Sequence, residues 1–239
     1  MAGSRSANLP IPRMPTSTVE DYLKCILLEE EGSASELVST GQIATALDVA
    51  PGTVTAMMKT LSESGLVAYE PYSGVSLTPA GRQLALHVLR RHRLIELFLV
   101  QVMKMDWSEV HGEAERLEHV VSDALIQRMD EMLGHPATDP HGDPIPDASG
   151  VVAETAVASL LTCPMGQSVR VARVMDQTPR FLQFVERQGL RPGIEVEISS
   201  RNEAADTVEL RLGDGRALNL GYRAASKVLV AAPVGIAPD

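Results

Sequence analysis

Residues 40–66 read TGQIATALDVAPGTVTAMMKTLSESGL, and a few punctuating residues in this stretch decide its fold. Thr40 is placed to cap a short helix that runs through Leu47. DVAPG then turns the chain, and Pro51 suits the first turn of a second helix, where its missing N–H has no partner to lose. That helix extends to about Ser64, with Gly65 as its stop. Two short helices about a tight turn form a helix-turn-helix. The next residues, LVAYEPYSGVSLT, hold two short β-like runs, Leu66–Tyr69 and Val75–Leu77, around a PYSG turn. A hairpin directly after the second helix is a wing. Upstream, Val19, Tyr22, Leu23, Ile26 and Leu27 repeat at helical spacing over 17–31 and Gly32 closes the run. Residues 15–78 are thus expected to form a winged helix-turn-helix.

A long helix is expected from Pro79 to about Met103, with Thr78 as its cap and His92 set among Arg90, Arg91 and Arg93. A second is expected from about Ser108 to Leu133, and the two make a helical unit over 79–148. GHPATDPHGDPIPDASG, dense in Pro, Gly and Asp, sustains neither helix nor strand and reads as an ordered loop or linker. Residues 149–164 are assigned as linker. From 165 to 239 the runs VRVARV, IEVEIS, TVELRL and KVLVAA, with one helical insert at PRFLQFVERQG, predict a small SH3-like β barrel. The fold class is mainly α with β.

Composition narrows the function. The chain has 239 residues, 44% hydrophobic and 3% aromatic, so its core is aliphatic. No apolar run approaches the roughly 18 residues of a membrane span. The opening MAGSRSANLPIPRMP lacks the apolar core of a secretory signal and reads as a loose tail. Cys25 and Cys163 stand far apart, which argues against a thiolate zinc site and suits a cytoplasmic protein. GxSxG, P-loop and HExxH patterns are absent, as are the paired Glu-x-x-His motifs of a di-metal oxidase. Net charge is −10, which sits poorly with nonspecific nucleic-acid binding and would be partly offset by a bound divalent cation.

HGEAERLEH, residues 111–119, carries the chemistry. On a helix, Val110, Ala114, Leu117, Val121 and Leu125 form the buried arc, and His111, Glu115, Glu118 and His119 fall on the arc beside it. Carboxylates clustered at the border of a core repel one another and lose hydration unless a cation compensates. A solvated face paired to arginines is the plain alternative. Against it stand His92 and Glu96, an i, i+4 pair on the preceding helix, and Glu20 and Asp21 on the first helix. Together they suggest a site assembled from three helices. Its oxygen and nitrogen donors suit Mn²⁺ or Fe²⁺, while Zn²⁺ or Co²⁺ can substitute in vitro.

EDYLKCILLEEEG, IATALDVAPGTVTAMMKTLSESGLV, LTPAGR, RRHRLIELFL, EVHGEAERLEHVVSD and HGDPIP, in this order, make the chain resemble the DtxR/MntR family of metal-dependent transcriptional repressors over nearly its whole length. The resemblance implies a primary metal site of Asp21, Glu115, Glu118 and His119. It implies an ancillary site of His92, Glu96 and His111. The iron-responsive branch has Met and Cys where this chain has Asp21 and Glu115, so the resemblance favours the manganese-responsive branch. Lys24 replaces a glutamate of some manganese regulators. In the terminal domain Thr178 and Phe181 align with Glu and Gln ligands, and Asp176 is the nearest replacement. Operator DNA would be met by Thr53, Thr55 and Lys59 on the second helix of the motif and by Arg82 past the wing. Alternatively, the threonines only cap and decorate that helix. A homodimer would place two such helices about 34 Å apart, and Leu97, Phe98 and Trp107 are candidates for its interface or for ordinary core. No membrane and no small organic substrate is expected. The expected role is repression of metal-uptake genes. The alternatives are an iron-responsive member of the family and a winged-helix regulator of a non-metal ligand.

Overall fold

In the computed structural model residues 16–32, 35, 37–153 and 155–232 are described. The N-terminal tail lies outside them. The chain divides into two compact units, with the division after Leu86.

The first unit opens with α1 (Ser17–Gly32), followed by α2 (Thr40–Ala46) and α3 (Pro51–Glu63). The cap of α2 is Ser39, not Thr40. Its hydroxyl accepts from the Gln42 backbone N–H while the Gln42 side chain accepts from the Ser39 N–H, a reciprocal capping box. Pro51 occupies the first turn of α3 and Gly65 lies just past its end with φ of 71°, a left-handed position that suits glycine. The wing is β1 (Val67–Glu70) paired antiparallel with β2 (Gly74–Leu77). Leu23, Ile26, Ile43, Val54, Met58, Leu61 and Val75 are buried. A β-carbon on Gly81 would fall 1.9 Å from the Leu66 carbonyl oxygen, so the helix after the wing can press on the strand base only without a side chain there. That helix, α4 (Pro79–Gln101), starts at Thr78, whose hydroxyl accepts the Gly81 N–H.

In the second unit the expected 108–133 helix is broken. It forms α5 (Val110–Leu117) and α6 (Asp123–Met132). Ser122 is extended and its hydroxyl accepts the Leu125 N–H, which starts α6 afresh. The Val121 carbonyl, left without a helical donor, accepts from the Arg91 guanidinium. The break rotates α6 relative to α5. Val110, Ala114 and Val121 are buried as expected, but Leu125 is 47% exposed and Ile126 and Met129 enter the core instead.

β3 (Ala158–Ser159) pairs with β8 (Val228–Ala231), and Leu160 and Cys163 are buried in the same core, so ordered structure begins inside the stretch assigned as linker. The remaining elements are β4 (Ser168–Val174), α7 (Pro179–Arg187), β5 (Glu195–Asn202), β6 (Thr207–Leu212), β7 (Ala217–Gly221) and α8 (Tyr222–Ala225). They complete an antiparallel sheet of order β3-β8-β4-β5-β6-β7 around one aliphatic core. β7, reading ALNLG, carries too little β-branched character to be found from the sequence. Trp107 is packed into this core at 2% exposure, and Leu97 is buried in the helical core, so neither is surface within the chain. Phe98 is half-buried.

Candidate metal centre and nucleic-acid interface

Three histidines and three glutamates of the second unit converge where α4 passes α5. Glu96 is buried on α4, one turn after His92. Its Oε1 lies 3.1 Å from His92 Nε2 and 3.2 Å from His111 Nδ1. His92 Nδ1 is 2.5 Å from Glu118 Oε2 and 3.9 Å from Glu115 Oε1. Glu115 Oε1 is 3.8 Å from His111 Nε2. Glu118 caps the end of α5 and is fully buried, with His119 Nε2 3.3 Å from its other oxygen. His92, His111 and Glu115 each offer a ligand atom within 4.8 Å of the others. His92 therefore touches residues of both sets implied by the resemblance, linking them through one imidazole. Asp21 is half-buried on α1 of the first unit.

The loop 134–150 adds a cluster that sequence reasoning missed. Glu96, Asp139 and His141 are all buried, with ligand atoms within 4.8 Å of one another. His141 Nδ1 and Glu96 Oε2 face each other at 3.7 Å, and neither has a hydrogen-bond partner among the described residues. Two buried orphan atoms at that separation are costly for a polar core and well suited to a shared cation. The oxygen and nitrogen donors fit a divalent metal. The signal in the sequence was Asp139, His141 and Asp143 at alternate positions, hidden by prolines that made the loop look like a spacer.

The surrounding charges are arranged around these carboxylates. Burial raises the Glu96 pKa, but the imidazoles of His111, His141 and His92 that face it outweigh burial and hold the carboxyl well below the usual range. Burial lowers the His141 pKa, and Glu96 and Asp139 more than reverse that, so the net direction is up. Asp139 is pushed up to about 7 by burial first and then by the Asp143 and Glu96 charges. The folded state of the apoprotein therefore holds a proton that the unfolded state releases at about pH 4. The Asp139 contribution to stability should fall as pH rises from about 4 to about 7, and the raised His141 pKa has the same sign. Asp139→Asn, which keeps an oxygen for the His141 and Asp143 N–H groups, should flatten that slope. Thermal unfolding of both proteins in chelator at pH 5 and pH 8 checks this; parallel pH curves would count against it.

The arginines of α4 serve the fold. Arg90 pairs with Asp130 at 3.0 Å and donates to the Pro146 carbonyl at 2.7 Å. Arg93 lies 4.0 Å from Asp139 and 3.9 Å from Asp143 and donates to Pro144. In the terminal domain Asp176 is taken by Lys227 at 2.5 Å and by the Thr178 hydroxyl at 2.7 Å, and Phe181 packs on the core. Thr178 caps α7 by its backbone position.

On α3, Thr53 and Lys59 are exposed, while Thr55 is half-buried with its hydroxyl donating to the Pro51 carbonyl at 3.1 Å. Lys59 is the single cation of that helix. Arg82 is held by Glu30, whose second oxygen accepts the Leu77 N–H at 2.9 Å, so this guanidinium braces the wing on α1. Tyr72, at the wing tip with φ of 69°, is fully exposed and was not singled out from the sequence.

Family comparisons agree with this layout. Residues 14–75 match the iron dependent repressor N-terminal DNA binding domain, 78–147 its metal binding and dimerisation domain, and 158–232 the FeoA domain. The chain is 35% identical over 198 residues to the diphtheria toxin repressor of Corynebacterium diphtheriae, covering 77% of this chain and 85% of that protein. The chain belongs to the DtxR family of metal-dependent repressors. It is a DNA-binding repressor that dimerises, and it is not an enzyme. It is 41% identical over 130 residues to the iron-dependent repressor IdeR of Mycobacterium tuberculosis, covering 54% of this chain and 55% of that one. Among solved structures, a manganese-dependent transcriptional repressor in complex with manganese superposes with a TM-score of 0.81 at 38% identity, covering 90% of this chain and 99% of that one. ScaR with bound Cd²⁺ gives 0.73 at 33% identity, covering 90% and 99%. No helix among the described residues is long and apolar enough to cross a membrane.

Proposed function

We propose that this repressor responds to Mn²⁺ and restrains genes of metal uptake. The observation that carries this is the donor set. Asp21 and Glu115 supply oxygen at the two positions where iron-responsive relatives place sulfur, and both cysteines of the chain are buried at other positions. Hard oxygen and imidazole donors suit Mn²⁺. The 38% identity to a manganese-dependent repressor supports the same reading. The primary ligands are Asp21, Glu115, Glu118 and His119. His92, Glu96 and His111 offer a second position, and Glu96, Asp139 and His141 a third.

A bound divalent cation supplies positive charge that lets these carboxylates stay ionised together. Ligands drawn from both α1 and α5 make the placement of the DNA-reading unit depend on occupancy. Thr53, Thr55, Lys59 and Arg82 then meet operator DNA from each protomer of a homodimer, with the two α3 helices about 34 Å apart. The small number of cations on α3 makes the paired arrangement necessary for tight binding.

Iron is the second reading, because the chain is also similar to an iron-dependent repressor, IdeR of Mycobacterium tuberculosis. Anaerobic operator binding, titrated against free Mn²⁺ and free Fe²⁺ at fixed salt, separates them. Full activation by Mn²⁺ with weaker activation by Fe²⁺ is expected; full activation by Fe²⁺ with none by Mn²⁺ overturns the manganese assignment.

A further inference from the structure

We infer that Trp107, clamped by the terminal domain, is the positioning residue for the Glu96–Asp139–His141 cluster, so that this domain controls a metal position through the indole. The inference rests on reading that cluster as a divalent-cation site.

Trp107 sits in the connection between α4 and α5 and holds His141 twice. Its backbone carbonyl accepts from His141 Nε2 at 2.9 Å, and its indole stacks on the imidazole with centroids 5.5 Å apart and planes 25° apart. A carbonyl can only accept, so in the neutral ring Nε2 carries the proton and Nδ1 keeps its lone pair. That lone pair is the buried, unpartnered atom 3.7 Å from Glu96 Oε2. One backbone contact thus fixes the tautomer that a ligand needs, and one ring contact fixes its plane.

The indole is in turn gripped by the terminal domain. Its Nε1–H donates to Glu186 on α7 at 2.9 Å, and the Arg191 guanidinium lies 5.0 Å from the ring centroid while pairing with Glu186. The ring itself is built into the core of the terminal sheet. The loop bearing His141 is pinned to the same domain from the other end. Val174 of β4 donates its N–H to the His141 carbonyl at 2.9 Å, and a β-carbon on Gly142 would strike the Ala172 carbonyl oxygen at 1.9 Å. Displacing the terminal domain would therefore release the His141 ring, its tautomer and its loop together.

Trp107 is the one tryptophan of the chain, so its emission reports on this spot directly. The test is Mn²⁺ titration of the full chain by calorimetry and tryptophan emission, with His141→Ala, Trp107→Phe, Trp107→Leu and Arg191→Ala alongside the wild type. In the wild type, quenching should track one of the calorimetric sites. His141→Ala should lose that site. Trp107→Leu, which keeps the carbonyl but loses the stacking face, should weaken it about tenfold or more, and Trp107→Phe should restore it, with the other sites unchanged. Arg191→Ala, at a half-exposed side chain, should weaken the same site several-fold and keeps the test decisive if the leucine variant does not fold. Loss of the site in His141→Ala with wild-type affinity in Trp107→Leu or Arg191→Ala overturns the positioning role alone. An unchanged site count in His141→Ala overturns the cation reading and this inference with it.

Discussion

Glu118→Gln should abolish metal-activated operator binding, with metal affinity at the primary position falling on the order of a hundredfold or more. Glu118 is fully buried, and its two oxygens are divided between two imidazoles, His92 at 2.5 Å and His119 at 3.3 Å. The amide keeps the volume of the side chain but loses the charge and turns one acceptor into a donor. A buried donor facing an imidazole costs about 1–3 kcal/mol, which the fold can absorb. The variant should therefore remain folded in chelator yet fail to shift labelled operator at any Mn²⁺ concentration that saturates the wild type. Circular dichroism alongside fluorescence anisotropy separates the two effects. Wild-type activation would remove Glu118 from the ligand set.

Glu96→Ala should have the largest effect on the chain itself. One carboxylate serves His92 and His111 through Oε1 and faces His141 through Oε2, so its removal leaves three imidazoles around an empty buried space. Breaking a buried charged network by deleting one partner costs about 3–5 kcal/mol. Because the Glu96 pKa is held low in the folded state, its contribution is complete at neutral pH and is lost only as pH falls through that depressed value. At pH 7 the variant should unfold well below the wild type and should lose both metal positions that share Glu96. Chemical denaturation in chelator measures the first effect, and calorimetric stoichiometry with Mn²⁺ the second. An unfolding free energy equal to that of the wild type would mean that Glu96 is not the hub of the cluster.

The DNA-reading unit was legible because its boundaries are set by local chemistry. Pro51 at a first turn, Gly65 at a left-handed position and Thr78 before Pro79 each act within a few residues. The break after α5 was not legible in the same way. Apolar spacing runs on through Val121, and what ends the helix is a serine cap together with a distant arginine that takes the freed carbonyl. That break brings Ile126 and Met129, not Leu125, into the core. The same limit explains the missed ligands. Asp139 and His141 lie in a proline-rich loop whose meaning comes from partners more than 30 residues away, Trp107 and Glu96 among them. Likewise the pairing of Arg82 with Glu30 reaches across 52 positions and leaves no local trace. Local punctuation survives in a single sequence; long-range pairing does not.

Metal occupancy and operator binding are expected to be coupled. Linkage makes the coupling reciprocal, so operator must tighten metal binding by the factor by which metal tightens operator binding. The direct measurement is the Mn²⁺ dissociation constant of the full chain with and without a saturating pseudo-palindromic operator, at one stated salt concentration. A value at least about tenfold tighter with operator present, equivalent to about 1.4 kcal/mol of coupling, is the predicted result. Equal Mn²⁺ affinities in the two conditions would contradict it.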